Sequence, residues 1–312
     1  MSIESLSPAV LEPVFPDGQP TVATALIDWL SFSVVPPAGE GLDWIADLLA
    51  DLFGILRSEW KPTGRGWFGY VQRIDLGEYG LLAYGGERQR GTIHVELNAH
   101  ACARVQHWAA VRTWGESSDA RITRSDLAHD DFTGLTANIP LMLTWHREGG
   151  FTTAGRPPKA RLIDDPESGE GKTFYVGKRQ HGKTLRGYEK GKQLGKPDDP
   201  WFRVEVELHN KGRVIPWDIL TEPGRYFAGA YPCLSIFGTE QCRLTTNKRA
   251  LELTYAGMET WVRGAAGKAL NVMLKVHQGD PFSMLDRIVQ PGIPKRLTGF
   301  SEGDYDVIEV PT

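Results

Sequence analysis

The apolar and polar positions change period several times along the chain, and each change predicts an element. Ala23 to Val35 is rich in apolar and β-branched residues and is closed by Pro36-Pro37, which predicts a buried strand. Leu42, Ile45, Leu48, Leu49, Leu52, Phe53 and Leu56 then recur at helical spacing. Strand-like runs follow at about 67–74, 79–85 and 91–98, and a helix is predicted over about 100–113. The same order then returns. Arg121 to Phe132 reads as a strand and Ile139 to Arg147 as a short helix, with Asn138 at its N-cap and Pro140 in its first turn. Residues 149–170 read as a Gly- and Pro-rich loop, and three further strands follow, Lys172–Arg179, Lys183–Lys190 and Trp201–His209. A helix near 217–229 is interrupted at Glu222-Pro223-Gly224, and Lys248–Val262 and Gly267–His277 again show helical spacing.

This order predicts an α+β protein. Two tandem strand-helix-strand-strand-strand units would form a mixed or antiparallel sheet core with flanking helices, followed by a helical C-terminal segment. The expected boundaries are a disordered 1–22, a first unit over 23–115 and a second over 116–235 that carries the chemistry. A helical 236–290 and an acidic tail over 291–312 complete the chain. Tyr84-x-Gly86-x-Arg88-Gln89-x-Gly91 matches Tyr175-x-Gly177-x-Arg179-Gln180-x-Gly182, which supports a duplication. Carried forward with one inserted residue, that match aligns His94, Glu96 and Asn98 with Arg186, Tyr188 and Lys190.

Composition changes little in this picture. The chain of 312 residues is 41% hydrophobic and 24% charged, as an ordinary globular protein is. It has no apolar run near the ~18 residues of a membrane span. The start of the chain does not read as a signal peptide, and its three cysteines are widely spaced, so a reducing, cytoplasmic setting is expected and a cysteine zinc site is not. Charge distribution says more than its total. The chain carries a net −4, yet Lys172–Lys196 holds eight Lys/Arg and one acid, a local footprint for a polyanion.

Strand parity sorts the chemistry into faces. Phe202, Val204, Val206 and Leu208 share one face; Arg203, Glu205, Glu207 and His209 share the other. Arg186, Tyr188 and Lys190 lie together, as do Arg124, Asp126, Ala128 and Asp130. Such a face is either a solvated surface with cross-strand ion pairs or a site. Its carboxylates are hard oxygen donors of the kind that suit Mg²⁺ or Mn²⁺.

Taken in order, Arg124-x-Asp126-x-Ala128-x-Asp130, Tyr175-x-Gly177-x-Arg179, Arg186-x-Tyr188-x-Lys190 and Arg203-x-Glu205-x-Glu207 resemble the replication initiation factor family, over about residues 24–230. That family includes rolling-circle initiators of small plasmids, initiators of filamentous phages, and relaxases of some conjugative elements. The resemblance implies an enzyme that nicks and rejoins a DNA strand through a 5′-phosphotyrosyl intermediate. It implies Tyr188 as nucleophile with Lys190 beside it, and a divalent metal, Mg²⁺ or Mn²⁺, on Asp126 and Glu205 with Asp130 and Glu207 as further candidates. Lys178, Arg179, Lys183 and Arg186 would contact DNA. The expected partners are a replication origin single-stranded at the nick, a host helicase and polymerase, and a second copy of the chain. None of the eight histidines forms the His-hydrophobic-His motif of the other well-known nicking superfamily. His94, His129 and His209 are expected as accessory or surface residues, and Glu96 either as a partner of Arg88 or Arg90 or as an acid reaching the site from the other half. The alternatives are a conjugative relaxase and a non-catalytic DNA-binding regulator with the same fold.

Overall fold

The computed structural model describes residues 25–153, 155–164, 169–238, 262–264 and 266–290. The expected N-terminal segment 1–22, most of the expected helix Lys248–Val262, Cys242 and the tail 291–312 lie outside them.

One ten-stranded sheet runs through both units. Its strands are β1 (Leu26–Val34), β2 (Lys61–Pro62), β3 (Gln72–Asp75), β4 (Gly80–Tyr84), β5 (Ile93–Leu97), β6 (Arg121–Asp131), β7 (Ala160–Asp164), β8 (Lys172–Lys178), β9 (Lys183–Glu189) and β10 (Phe202–His209). Their spatial order is β2-β3-β4-β5-β1-β6-β10-β9-β8-β7, and every ladder is antiparallel. The order is a palindrome about the β1–β6 pair. Each unit contributes a central strand, then its fifth, fourth, third and second strands outward, so the topology itself is duplicated about a pseudo-twofold axis.

The helices are α1 (Leu42–Phe53), α2 (Ala99–Arg104), α3 (Trp108–Ser117), α4 (Ile139–Arg147), α5 (Lys190–Gln193), α6 (Pro223–Ala230), α7 (Gly267–Val276) and α8 (Pro281–Ile288). Helix α2 lies against β1 and β5, α4 against β8 and β9, and α6 against β1 and β6. They cover the face that carries Leu30, Phe32, Val95, Leu127, Phe174, Leu185, Val204 and Val206, all buried. Each such side chain taken from water contributes about 1.5–3 kcal/mol. At Gly187 a Cβ would come within 2.8 Å of Met142 of α4, so this glycine lets the helix close on the strand directly beside Tyr188. Among the described residues no helix is long and apolar enough to cross a membrane.

Four expectations are corrected. The helix expected over 100–113 is two helices broken at Val105–His107, with the amide of Val105 already turned back to the Cys102 carbonyl. The loop expected over 149–170 contains β7, whose burial pattern is nearly all exposed, as an edge strand's can be. The interrupted helix near 217–229 is a 3₁₀ turn over Trp217–Leu220 followed by α6, which starts at Pro223.

The fourth correction is the alignment of the two units. Topology makes β5 the equivalent of β10, whereas the Tyr-x-Gly-x-Arg-Gln-x-Gly match pairs the β4–β5 hairpin with β8–β9. Both stretches encode a similar turn, offset by one residue: a glycine at positive φ (Gly86, 108°; Gly177, 84°), a 3₁₀ segment (Glu87–Gln89; Arg179–His181), then a left-handed residue (Arg90, 50°; Gly182, 76°). The likeness reports turn chemistry, which repeats wherever such a turn is built. The better signal is Ile93-His94-Val95-Glu96-Leu97 against Val204-Glu205-Val206-Glu207-Leu208. It fits the ladders, because Ser31 stands opposite Glu96 as Asp126 stands opposite Glu207.

Candidate active site

The polar face of the sheet concentrates its charge where β6, β10 and β9 run side by side. Register puts Asp126 opposite Glu207, Asp130 opposite Arg203, Glu205 opposite Arg186 and Arg203 opposite Tyr188. The three strands therefore bring the predicted tyrosine, arginines and acids onto one surface, as parity predicts.

Tyr188 is 7% exposed, and its hydroxyl donates to Glu205 Oε1 at 2.5 Å. The other oxygen of Glu205 accepts from Arg186 Nε at 2.5 Å. Burial, and then the charge and hydrogen bond of Glu205, push the Tyr188 phenol well above its usual range. The guanidinium of Arg186 also lies over the Tyr188 ring, 5.2 Å from its centroid. Lys190 opens α5, bonds Gln193 at 3.0 Å and places its ammonium 5.6 Å from the same ring centre. Burial and then the charge of Arg203 lower its pKa.

Asp126 and Glu207 share Arg124, whose guanidinium donates to Asp126 at 2.9 and 2.6 Å and to Glu207 at 3.3 Å. Burial pushes Asp126 up to about 6 against the hydrogen bonds and charge of Arg124, with Glu207 and Glu205 adding to the rise. Burial also acts upward on Glu207. The hydrogen bond from His209 (2.5 Å) and the charges of Arg124 and Arg179 outweigh it and hold Glu207 at about 2. Asp130 belongs to a different cluster. Arg203 grips both its oxygens at 2.7 and 2.6 Å and reaches Asp28 at 2.8 Å, and Trp201 donates to it at 2.6 Å. It stands four residues from Asp126, roughly 13 Å along the strand.

The four acids expected at a metal are thus not gathered into one cage. Among the described residues no three Asp, Glu, His or Cys side chains are placed as a ready ion site. In donor chemistry Asp126, Glu205 and Glu207 suit a divalent cation, and the charges of the two glutamates add to the rise that burial gives Asp126. Asp130 is committed to Arg203.

Beside these acids opens a groove of about 690 Å³. Lys159, Arg161, Lys178, Arg179 and Arg186 line it together with Glu205 and Glu207, so cations outnumber carboxylates five to two. Lys178, Arg179 and Arg186, three of the residues expected to contact DNA, line this groove. Lys183 does not: it stands opposite Leu208, on the helix-covered face, where its ammonium bonds the Ala230 carbonyl at 2.6 Å and caps the Tyr231 ring at 4.0 Å. Strand parity carried this information, since Lys183 is out of phase with Arg186 and Tyr188. Lys159 and Arg161 were missed because β7 was read as loop. Arg161 lies over Tyr175, 5.4 Å from its ring centre, which makes that tyrosine a wall of the groove.

Residues 120–237 match the replication initiation factor family. The match spans a little over a third of the chain and contains Tyr188, Arg186 and every acid of the β6–β10 surface. The resemblance drawn from the motifs is borne out for the second unit. A solved structure of a rolling circle replication initiator protein from Geobacillus stearothermophilus is 27% identical to this chain, covering 59% of it and 74% of that protein, with a TM-score of 0.49. Comparison with curated proteins finds no match.

The remaining candidates fall outside this centre. His129 is buried on the helix side, 4.3 Å from the Phe237 ring centre. His209 serves Glu207. Glu96 neither pairs with Arg88 or Arg90 nor approaches Tyr188. It is buried under Trp67 Nε1 (3.0 Å) and His94 Nε2 (3.1 Å), four strands away from β9. At ~4.8 Å per strand that is about 19 Å.

Proposed function

We propose that the chain starts rolling-circle replication by nicking and later rejoining one strand of a DNA origin through Tyr188. The observation that carries this reading is the Tyr188–Glu205–Arg186 chain of short hydrogen bonds, whose Glu205 and Arg186 line a cationic groove. The phenol is held protonated at rest, so its proton must leave as attack proceeds, and Glu205 Oε1 is already its acceptor. The phenolic oxygen forms a bond to phosphorus while the bond from phosphorus to the 3′-oxygen breaks. The 3′-oxygen leaves as a hydroxyl after taking a proton from solvent. In rejoining, the 3′-hydroxyl gives its proton to solvent and attacks phosphorus, the bond from phosphorus to the tyrosine oxygen breaks, and Glu205 returns its proton to the departing Tyr188. Arg186 and Arg179 meet the phosphate oxygens as charge develops on them. Asp126, Glu207 and Glu205 are the carboxylates that would hold a Mg²⁺ or Mn²⁺ ion, and such an ion would supply Lewis-acid stabilisation of the phosphate.

The test is a gel assay on a supercoiled plasmid carrying the DNA that neighbours this gene. The wild type should relax it and leave a covalent protein–DNA adduct. Tyr188→Phe should lose the adduct with DNA binding kept within a few-fold. An adduct formed by Tyr188→Phe transfers the role to another residue, and full-rate nicking in excess chelator removes the ion. A wild type that binds DNA but never nicks leaves a DNA-binding regulator on this fold.

A further inference from the structure

The first unit carries a feature the nicking chemistry does not use. Trp67, Phe68, Gly69 and Tyr70 form a tight turn closed by paired backbone bonds, Trp67 N–H to Tyr70 O at 3.1 Å and Tyr70 N–H to Trp67 O at 2.8 Å. Both central residues have positive φ, 46° at Phe68 and 84° at Gly69, the conformation of a type I′ turn. Asn, Asp or Gly normally takes the first of these positions; a bulky side chain there is strained. This strain holds an aromatic ring outward: Phe68 is 75% exposed. Below it the turn is anchored, with Trp67 bonded to buried Glu96 and Tyr70 stacked on His94 at 6.0 Å and 15°. Phe68 meets Trp67 and His94 edge-on at 5.0 and 6.2 Å, which leaves a face of the ring free to stack.

The surroundings select the ligand. Arg65 is exposed in the same loop, and the neighbouring turn, whose Gln89 side chain lies against Gly69, exposes Arg88 and Arg90. An exposed aromatic among guanidiniums suits an unpaired nucleic-acid base with its phosphates. His94 and Glu96 lie on the same sheet face as Asp126 and Glu207, since register carries that face through Ser31 opposite Glu96 and through Trp29 opposite Asp126. Arginine–aromatic pairs mark the way across it: Arg73 over Trp67 (5.0 Å), Arg124 over Trp29 (4.4 Å) and Arg186 over Tyr188 (5.2 Å).

We infer that the Phe68 turn is a base-stacking post for single-stranded DNA, at the far end of a track that crosses the pseudo-twofold from Tyr188. The inference rests on the proposed DNA-nicking reading for its ligand. It gives the first unit, which lacks the tyrosine, a purpose: to hold the strand about four strand spacings from Tyr188, roughly 19 Å away.

The test separates binding from cleavage by working in full-length Tyr188→Phe protein. The probes are a fluorescein-labelled oligo-dT strand read by anisotropy at fixed salt, the same strand as a duplex, and an oligo-dT series with single 2-aminopurine substitutions. Adding Phe68→Ala should weaken single-strand binding about tenfold, with duplex binding unchanged. Phe68→Trp should retain affinity, and Phe68→Leu, apolar but unable to stack, should behave like alanine. One 2-aminopurine position should be quenched by the parent and regain its fluorescence in Phe68→Ala. Phe68→Gly should raise Tm, because glycine accepts positive φ, while losing single-strand affinity as alanine does. Equal single-strand affinity of parent and Phe68→Ala overturns the inference, as does an equal loss on both DNA forms. A wild type without nicking activity but with Phe68-dependent single-strand binding would sink the nicking reading and leave the stacking post standing.

Discussion

The two units share one topology, and their polar faces have been put to opposite uses. In the second unit the positions around the β6–β10 ladder are Asp126, Glu205 and Glu207, with Arg186 and Tyr188 on the next strand. Register gives their counterparts in the first unit as Ser31, His94 and Glu96, with Ala83 and Gly85 in place of the arginine and the tyrosine. One carboxylate of three survives there. Its partners are the Trp67 indole and the His94 ring, where Glu207 has two arginines. The second unit thus stores charge beside an open groove, and the first covers its remaining acid with aromatic rings. A duplicated sheet keeps its fold through the apolar face that the helices cover, which leaves the polar face of one copy free to change.

The contrast is broken most directly by exchanging carboxylate for amide in each copy. Glu205→Gln should slow adduct formation by about 10²–10⁴, the range of a lost general base, while Glu96→Gln should leave the rate within about twofold. Comparable losses from both would mean that the halves act on one site. A second, smaller effect is expected at Arg186, which has no counterpart cation at Ala83. Arg186→Ala should lower the nicking rate by roughly 10²-fold under saturating DNA, with Lys restoring part of it; an unaffected rate would limit Arg186 to holding Glu205. The smallest effect belongs to the first unit's sealed acid. Trp67→Phe removes one donor from buried Glu96 and should destabilise the protein by about 1–2 kcal/mol in denaturant unfolding. No change in stability would mean that Glu96 finds water in place of the indole, so that its burial is less complete than in this structure.

Much of this was legible in the chain. The helix over Ile139–Arg147 with its Asn138 cap, the long strands β6 and β10 and the face shared by Tyr188, Arg186, Glu205 and Asp126 follow from periods of 3.6 and 2. The periods are properties of local backbone geometry, so a sequence states them without its neighbours. The edge strand β7 escaped because it has little apolar side to alternate, and with it Lys159 and Arg161 escaped too. The Tyr-x-Gly-x-Arg-Gln-x-Gly repeat was legible and misread, because a turn is encoded by its glycines wherever it occurs.

What the sequence determined by itself was therefore the existence of two similar units, the type of nearly every element and the set of residues that share each strand's polar face. Tertiary structure alone decided which strands are equivalent, because that depends on pairing between residues far apart in the chain. Pairing placed β1 against β6 and made one sheet of two units. It set Glu205 under the Tyr188 hydroxyl, turned Asp130 to Arg203, and put Glu96 under Trp67. A side chain's face is fixed by its own strand, but its partner is fixed by register, and register is a relation between strands.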